Sequence, residues 1–452
     1  MISRTQLNEL AQEWSLTERV VEKDYVIGWL LWGIGTESQL HQTWAFKGGT
    51  CLKKCYIETY RFSEDLDFTI MPGGLFLPDD ITPLFSRILD RVNQASGIDF
   101  ASRPPVFKQR GSWPSTEGRI YYRGPRQTPT VESVKLDLLA SETVVRPTVL
   151  RTIAHPYADK LPESNTVRCY SFEEVFAEKI RALGERCRSR DLYDVINLYR
   201  RRDLHIYPGV IAQALKDKCT AKGISVPSFA SIEASPARGE LESEWRNMLE
   251  HQLPALPPFE HYWQELGNVF SWLEEKQELA PLAVFPMAPD TDTAWRPPAT
   301  IWSWGAGSPL ESIRFAAANH LCVELVYQGK SRIIEPYSLR RTREGNLLLH
   351  ALRADSHEHR SYRVDRIAGV SVTNRPFSPV YLVEFAQTGS IVAPQSAPRT
   401  PSPRRSVLRT ARYVVECSVC GKRFYRSTPD RKLRSHKDRN GFACSGKTGY
   451  PV

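Results

Sequence analysis

The chain is 452 residues long, 41% hydrophobic and 25% charged, with a formal net charge of +9. That balance excludes disordered and fibrous chains, and the length predicts two or three globular domains. The longest apolar run, Tyr25 to Gly35, is about half the ~20 residues a bilayer span needs. No signal peptide precedes it, so the expectation is a cytoplasmic protein with no membrane partner.

Nine cysteines, an odd number in a long chain without secretion signals, argue against a disulfide framework. The charge is unevenly placed: residues 398–452 carry 14 Lys/Arg against 3 Asp/Glu, whereas residues 1–310 carry 35 against 40. The basic surface is therefore the tail, and RNA or DNA is its natural match.

Residues 1–40 read as helical, with Leu7, Leu10, Trp14, Val20, Val21, Tyr25, Leu30 and Leu31 at helical spacings. Glu22, Lys23 and Asp24 interrupt that face, and periodicity alone makes them surface helix pairs. Next, Trp44 to Phe46 lead into Gly48-Gly49-Thr50, where a helix-like run, Cys51 to Ile57, begins. Two glycines let the backbone approach a bulky anion, and the free amides of the following helix with the Thr50 hydroxyl would face it. Ser63 to Ile70 then alternates like a half-buried strand, with Asp65 and Asp67 on one face and Leu66 and Phe68 on the other. Two such carboxylates repel unless neutralised, and Mg²⁺ or Mn²⁺ shared with substrate phosphates is the economical solution.

The stretches VVEKDYVIGWLL (20–31), FKGGTCLKK (46–54) and RFSEDLDF (61–68) resemble the opening motifs of the AbiEii/AbiGii toxin family of nucleotidyltransferases. The resemblance covers roughly the first two-thirds of the chain. It implies an α/β (α+β) nucleotidyltransferase fold of the polymerase beta type with a helical C-terminal part, and a toxin or phage-defence effector restrained by a cognate antitoxin. Family relatives modify tRNA. The resemblance also points to Lys23 or Asp24 as supports of the active site, and Lys47, Gly48, Gly49, Thr50, Arg61 and Ser63 become the nucleotide-binding candidates.

Ile81 to Val92 reads as a helix, and Gly118 to Gly124 and Val131 to Leu139 as strands. In the latter strand Val134, Leu136 and Leu138 share one face and Lys135 and Asp137 the other, so Asp137 is the natural third carboxylate, placed to aid the attacking hydroxyl. Ser171 to Arg186 is a helix opened by Ser171 with Glu174 three residues later, a capping box. Lys179 falls on its apolar stripe with Phe172, Phe176 and Leu183. Matching the family's motif helix, it is read as reaching into the pocket towards the triphosphate, as is Arg61. In Ser189 to Arg200, Asp191 and Asp194 lie one turn apart; the resemblance implies one functional aspartate here, and spacing does not choose between them.

Residues 1–285 are read as the transferase and 286–310, rich in Pro and Gly, as a linker. Residues 311–386 carry a short helix and closely spaced strand-like runs that suggest a small β-barrel of SH3/Sm-like type. EPYSLR with Arg360, Arg363 and Arg366 resembles a WYL domain, although the namesake tripeptide stands here as Leu347-Leu348-Leu349. Arg332, Arg340, Arg341, Arg353, Arg363 and Arg366 are its candidates for gripping a nucleotide or nucleic-acid backbone. Residues 387–411 read as a basic linker. In residues 412–452, Cys417-x-x-Cys420 followed by His436 and Cys444 has the donors a structural zinc needs, and so short a segment holds little core without one.

The sequence thus predicts transfer of a nucleoside monophosphate from an NTP to RNA, most simply tRNA. A ligand-sensing nucleic-acid-binding regulator, or transfer to a protein hydroxyl, are the alternatives.

Overall fold

The computed structural model describes residues 1–57, 61–111, 114–201, 207–275, 282–292, 294–295, 309–387, 413–426, 429–437 and 443–451. The chain forms two compact units, Met1–Val392 and Ala393–Val452. No described helix is long and apolar enough to cross a membrane.

The first unit opens with α1 (Arg4–Glu13) and α2 (Glu18–Gly35). Ser3 and Gln6 close a capping box at the start of α1, and Ser15, at φ 53°, turns the chain between the helices. Every residue of α2 from Val20 to Ile34 is buried. This overturns the reading of Glu22, Lys23 and Asp24 as surface pairs. A helix sheathed all round has no wet face, so each buried charge needs a tertiary partner. Glu22 binds Arg126 at 2.8 Å, Lys23 binds Glu64 at 2.7 Å, and Asp24 binds Lys54 at 2.6 Å.

After α3 (Ser38–Thr43) comes β1 (Trp44–Lys47), then a single turn, α4 (Gly48–Cys51), which runs into a π-helical turn, Leu52–Tyr56. The expected regular helix is thus one α turn and one π turn. β2 (Asp65–Ile70), α5 (Pro78–Ser96), β3 (Val106–Gln109), β4 (Ser115–Tyr122), β5 (Glu132–Leu139), β6 (Val149–Thr152) and β7 (Thr166–Cys169) follow. The strands form one mixed sheet in the order β3-β4-β5-β2-β1-β7-β6, with β2 parallel to β5 and β1 parallel to β7. Leu66, Phe68, Leu136 and Leu138 turn inward, where Phe68 packs on Trp44 and Phe46. The alternation that buries them leaves the odd-numbered carboxylates on the other face.

α6 (Phe172–Arg186) and α7 (Ser189–Tyr199) cover that face. Ser171 accepts from the Glu174 N–H at 3.2 Å, but the reciprocal half of the expected capping box is not made. The Glu174 carboxylate instead takes the N–H groups of Val145 and Arg146 and pairs with Lys218 at 2.8 Å. The helical part continues through α8 (Pro208–Lys222), α9 (Phe229–Glu233), α10 (Arg238–Ser243), α11 (Trp245–Leu249) and α12 (Phe259–Glu275).

β8 (Thr291–Asp292) lies within the expected linker yet pairs with Arg341 and Thr342, and Phe285 is buried against Tyr337 and Tyr381. These residues are part of the second sheet's packing, not a free connection; residues 296–308 lie outside the described ones. α13 (Leu310–Ala318) precedes β9 (Leu321–Tyr327), β10 (Lys330–Thr342), β11 (Leu347–Arg353), β12 (His359–Arg363) and β13 (Ile367–Pro376). They form an antiparallel sheet in the order β12-β11-β10-β9-β13, and among the described residues no ladder joins the edge strands β12 and β13. Asn319 accepts from the hydroxyls of both Tyr193 and Tyr262 at 2.8 Å, tying this part to α7 and α12.

The expected basic linker, 387–411, falls almost wholly outside the described residues. In the second unit, β14 (Tyr413–Cys417) lies between β15 (Arg423–Arg426) and β18 (Gly449–Pro451), and β16 (His436–Lys437) pairs with β17 (Ala443–Cys444).

Candidate active site

Strand register assembles the site. Asp67 lies opposite Asp137 across the parallel β2–β5 pair and opposite Lys47 across β1–β2, while Asp65 lies opposite Lys135. All three aspartates border one cleft of about 350 Å³, together with Lys47, Gly48, Gly49, Arg61, Ser63, Lys179 and Asp191. Burial raises the carboxyls of Asp65 and Asp67 above the usual range, and the charge of Asp137 adds to the shift in both. Lys135 reaches Asp137 at 2.5 Å. A carboxylate group that repels itself this way is suited to hold a divalent cation.

Gly48 has φ +78°, and a Cβ there would lie 2.5 Å from the Asp67 Oδ2. A Cβ on Gly49 would lie 2.5 Å from a guanidinium nitrogen of Arg61. The two glycines are therefore required by the protein's own side chains as well as by any anion. Thr50 departs from expectation: its hydroxyl donates to the Asp65 carbonyl at 2.5 Å and is fully buried. It fastens the turn to the carboxylate strand and does not face the cleft.

Arg61 departs too. Its fork grips Asp194 at 2.8 and 2.9 Å and the Gln252 side-chain oxygen at 2.9 Å, so the guanidinium expected on the triphosphate is already committed. Lys179, expected there as well, pairs with Asp194 at 2.6 Å and Asp191 at 3.4 Å. Burial alone would raise the Asp194 carboxyl, but Arg61 and Lys179 hold it well below the usual range. The two aspartates differ in position. Asp191, held by Arg186 at 2.7 and 2.9 Å, lines the cleft, whereas Asp194 sits behind it.

Several lining residues carried no motif. Glu178 faces the cleft beside Lys47, and Arg186, Arg188 and Arg190 line it from the α6–α7 junction. Lys47 contacts Glu142, and Lys23 anchors Glu64, the neighbour of Asp65. The alternating arginines of 186–190 are the one sequence signal that could have exposed this basic wall.

Residues 29–266 match the family model of the AbiEii nucleotidyl transferase toxin of type IV toxin–antitoxin systems. The chain belongs to the AbiEii family. It is a nucleotidyltransferase of the toxin type, and its residues 309–372 match the WYL domain model. No curated protein matches the chain. Among solved structures, the nucleotidyltransferase toxin MenT4 of Mycobacterium tuberculosis aligns at 19% identity and TM-score 0.38, over 61% of this chain and 91% of that one. The proteasome accessory factor B/C of Arthrobacter aurescens aligns at 12% identity and TM-score 0.15, over 51% and 26%.

In the WYL part of this AbiEii protein the arginines divide. Arg340 is 1% exposed and bound to Glu384, which removes it from the candidates for gripping a ligand. Arg341 pairs with Asp292 at 2.9 Å, Arg353 with Asp355, and Arg363 with Asp365 at 2.7 Å. Arg332 lies over the Tyr327 ring, and Arg366 is exposed.

In the second unit the donor atoms of Cys417, Cys420, His436 and Cys444 all lie within 4.8 Å of one another. The His436 Nδ1 is 2.9 Å from the Arg434 carbonyl, which leaves Nε2 to a metal. The N–H groups of Val419 and Gly446 point at Cys417 and Cys444, and a Cβ on Gly446 would lie 2.3 Å from the Cys417 sulfur. A hydrogen bond from the Cys420 backbone leads the effects that draw the Cys417 thiol down to about 6, which favours the thiolate a metal binds.

Proposed function

We propose that the chain transfers a nucleoside monophosphate from an NTP to RNA, with tRNA the acceptor, as a toxin or phage-defence effector under a cognate antitoxin. The observation that carries this reading is the meeting of Asp65, Asp67 and Asp137 with the Gly48–Gly49 turn in one cleft. Asp65 and Asp67, with Asp137, would hold Mg²⁺, which supplies charge neutralisation for the phosphates. Gly48 and Gly49 let those phosphates approach, and Lys47 and Ser63 border the same space. Arg188 and Arg190 offer the positive charge that Arg61 and Lys179 spend on Asp191 and Asp194. Asp137 would accept the acceptor hydroxyl's proton.

In this reading residues 1–285 are the transferase, 311–386 the WYL part and 412–452 a module held by zinc on Cys417, Cys420, His436 and Cys444. The tail's +11 supports a nucleic-acid acceptor. The test is incubation with each labelled NTP, Mg²⁺ and either total RNA or total protein, followed by a gel. Label in RNA supports the reading, label in protein alone replaces the acceptor, and label in neither overturns it.

A further inference from the structure

Among the described residues, Cys187, Cys219 and Cys322 belong to no group of three or more metal-ligating side chains, and Cys417, Cys420 and Cys444 belong to the second unit. The remaining three meet in the core of the first. The sulfur atoms of Cys51, Cys55 and Cys169 all lie within 4.8 Å of one another, and all three residues are buried to 1% exposure or less. They come from two pieces of backbone: Cys51 ends α4 and Cys55 belongs to the π-helical turn that continues it, whereas Cys169 closes β7. Four-residue spacing places Cys51 and Cys55 on one side of the helical segment, and Cys169 is brought alongside by its pairing with Phe46 of β1.

Arg151 supplies positive charge beside the sulfurs. The Arg151 guanidinium lies 4.8 Å from the ring centre of Tyr56, whose hydroxyl donates to the Tyr170 carbonyl at 2.5 Å and sits 3.8 Å from the Cys169 sulfur. Arg151 Nε is buried with no hydrogen-bond partner among the described residues. Three thiolates around a mono- or divalent ion retain net negative charge, and a nearby guanidinium offsets it. Core filling does not by itself bring sulfurs together, as Cys187, Cys219 and Cys322 illustrate. The donor set contains neither carboxylate nor imidazole, so it selects a soft ion over Mg²⁺.

We propose that Cys51, Cys55 and Cys169 form a trithiolate site for one thiophilic metal ion of the copper(I) or cadmium(II) class. Each thiol releases its proton to solvent as its sulfur–metal bond forms, and no oxidant is involved. The bound ion ties the turn carrying Gly48 and Gly49 to β7.

Cadmium(II) is the probe, because its bonds to thiolate give an ultraviolet charge-transfer band that carboxylate ligands do not. The full chain carrying Cys417→Ser and Cys444→Ser, which disables the second unit's cluster, is produced in medium containing cadmium so that loading accompanies folding. The expected result, after exchange against excess Mg²⁺ to clear carboxylate-bound metal, is one retained cadmium per chain with the band present. Adding Cys169→Ala or, separately, Cys55→Ala abolishes the band while circular dichroism stays unchanged. Two variants are used so that one remains readable should the other misfold. A folded chain with no band before these changes, or a band that survives them, overturns the proposal.

Discussion

Gly48 and Asp67 approach so closely that a Cβ at residue 48 would lie 2.5 Å from the Asp67 Oδ2. The position of this carboxylate is thus set against bare backbone, at a residue whose φ of +78° already disfavours any side chain. Gly48→Ala is expected to lower stability by roughly 1–2 kcal/mol through the left-handed conformation alone. Because the methyl also pushes Asp67 aside, nucleotidyl transfer should fall by more than that stability loss explains. Thermal melting and transfer rate, measured on the same preparation, separate the two effects.

The buried fork between Arg61 and Asp194 gives a prediction about stability. Asp194→Asn leaves Arg61 and Lys179 facing a neutral group in the interior, a change expected to cost about 3–5 kcal/mol. The sign with pH follows from a folded carboxyl held below its usual 3.8. The contribution is fully present above that value and is lost as pH falls towards the depressed folded one. The melting-temperature gap between wild type and Asp194→Asn should therefore be wide at neutral pH and shrink progressively only as the pH falls below about 4.

The carboxylate strands were legible because period-two alternation is local: Leu66, Phe68, Leu136 and Leu138 announce the buried face, and Asp65, Asp67 and Asp137 follow on the other. What α2 does with Glu22, Lys23 and Asp24 was not legible from periodicity. Their partners Arg126, Glu64 and Lys54 are distant in sequence, and only tertiary packing removes the wet face a helix is assumed to have. The same holds for Arg61 and Lys179. Each carries the right charge for a triphosphate, and each meets Asp194 first. The Gly-Gly turn was read from the needs of an anion, whereas the nearest demands on it come from Asp67 and Arg61.

For the second unit, Gly446 offers a sharper probe than a cysteine. A Cβ there meets the Cys417 sulfur at 2.3 Å, so Gly446→Val should displace a donor without removing one. Metal analysis of protein purified without chelator should find one zinc in the wild type and a substoichiometric amount in this variant. Full occupancy in Gly446→Val would contradict the assignment of Cys417 as a ligand.

The WYL arginines should separate by role. Arg340→Ala removes a buried cation paired with Glu384, so it should lower the melting temperature. Arg366→Ala changes an exposed side chain, and should weaken nucleic-acid binding at low salt while leaving melting unchanged. Filter binding across a salt series, alongside calorimetry, checks both.

The central claim is that Asp65, Asp67 and Asp137 carry metal-dependent transfer, and Asp67→Asn tests it most directly. The substitution keeps the side chain's shape and removes one negative charge from a half-buried residue at the cleft, so folding should be retained. With labelled NTP, Mg²⁺ and total RNA, the wild type should label the RNA, and Asp67→Asn should reduce the rate by orders of magnitude with an unchanged circular dichroism spectrum. Transfer by folded Asp67→Asn at the wild-type rate would contradict the account.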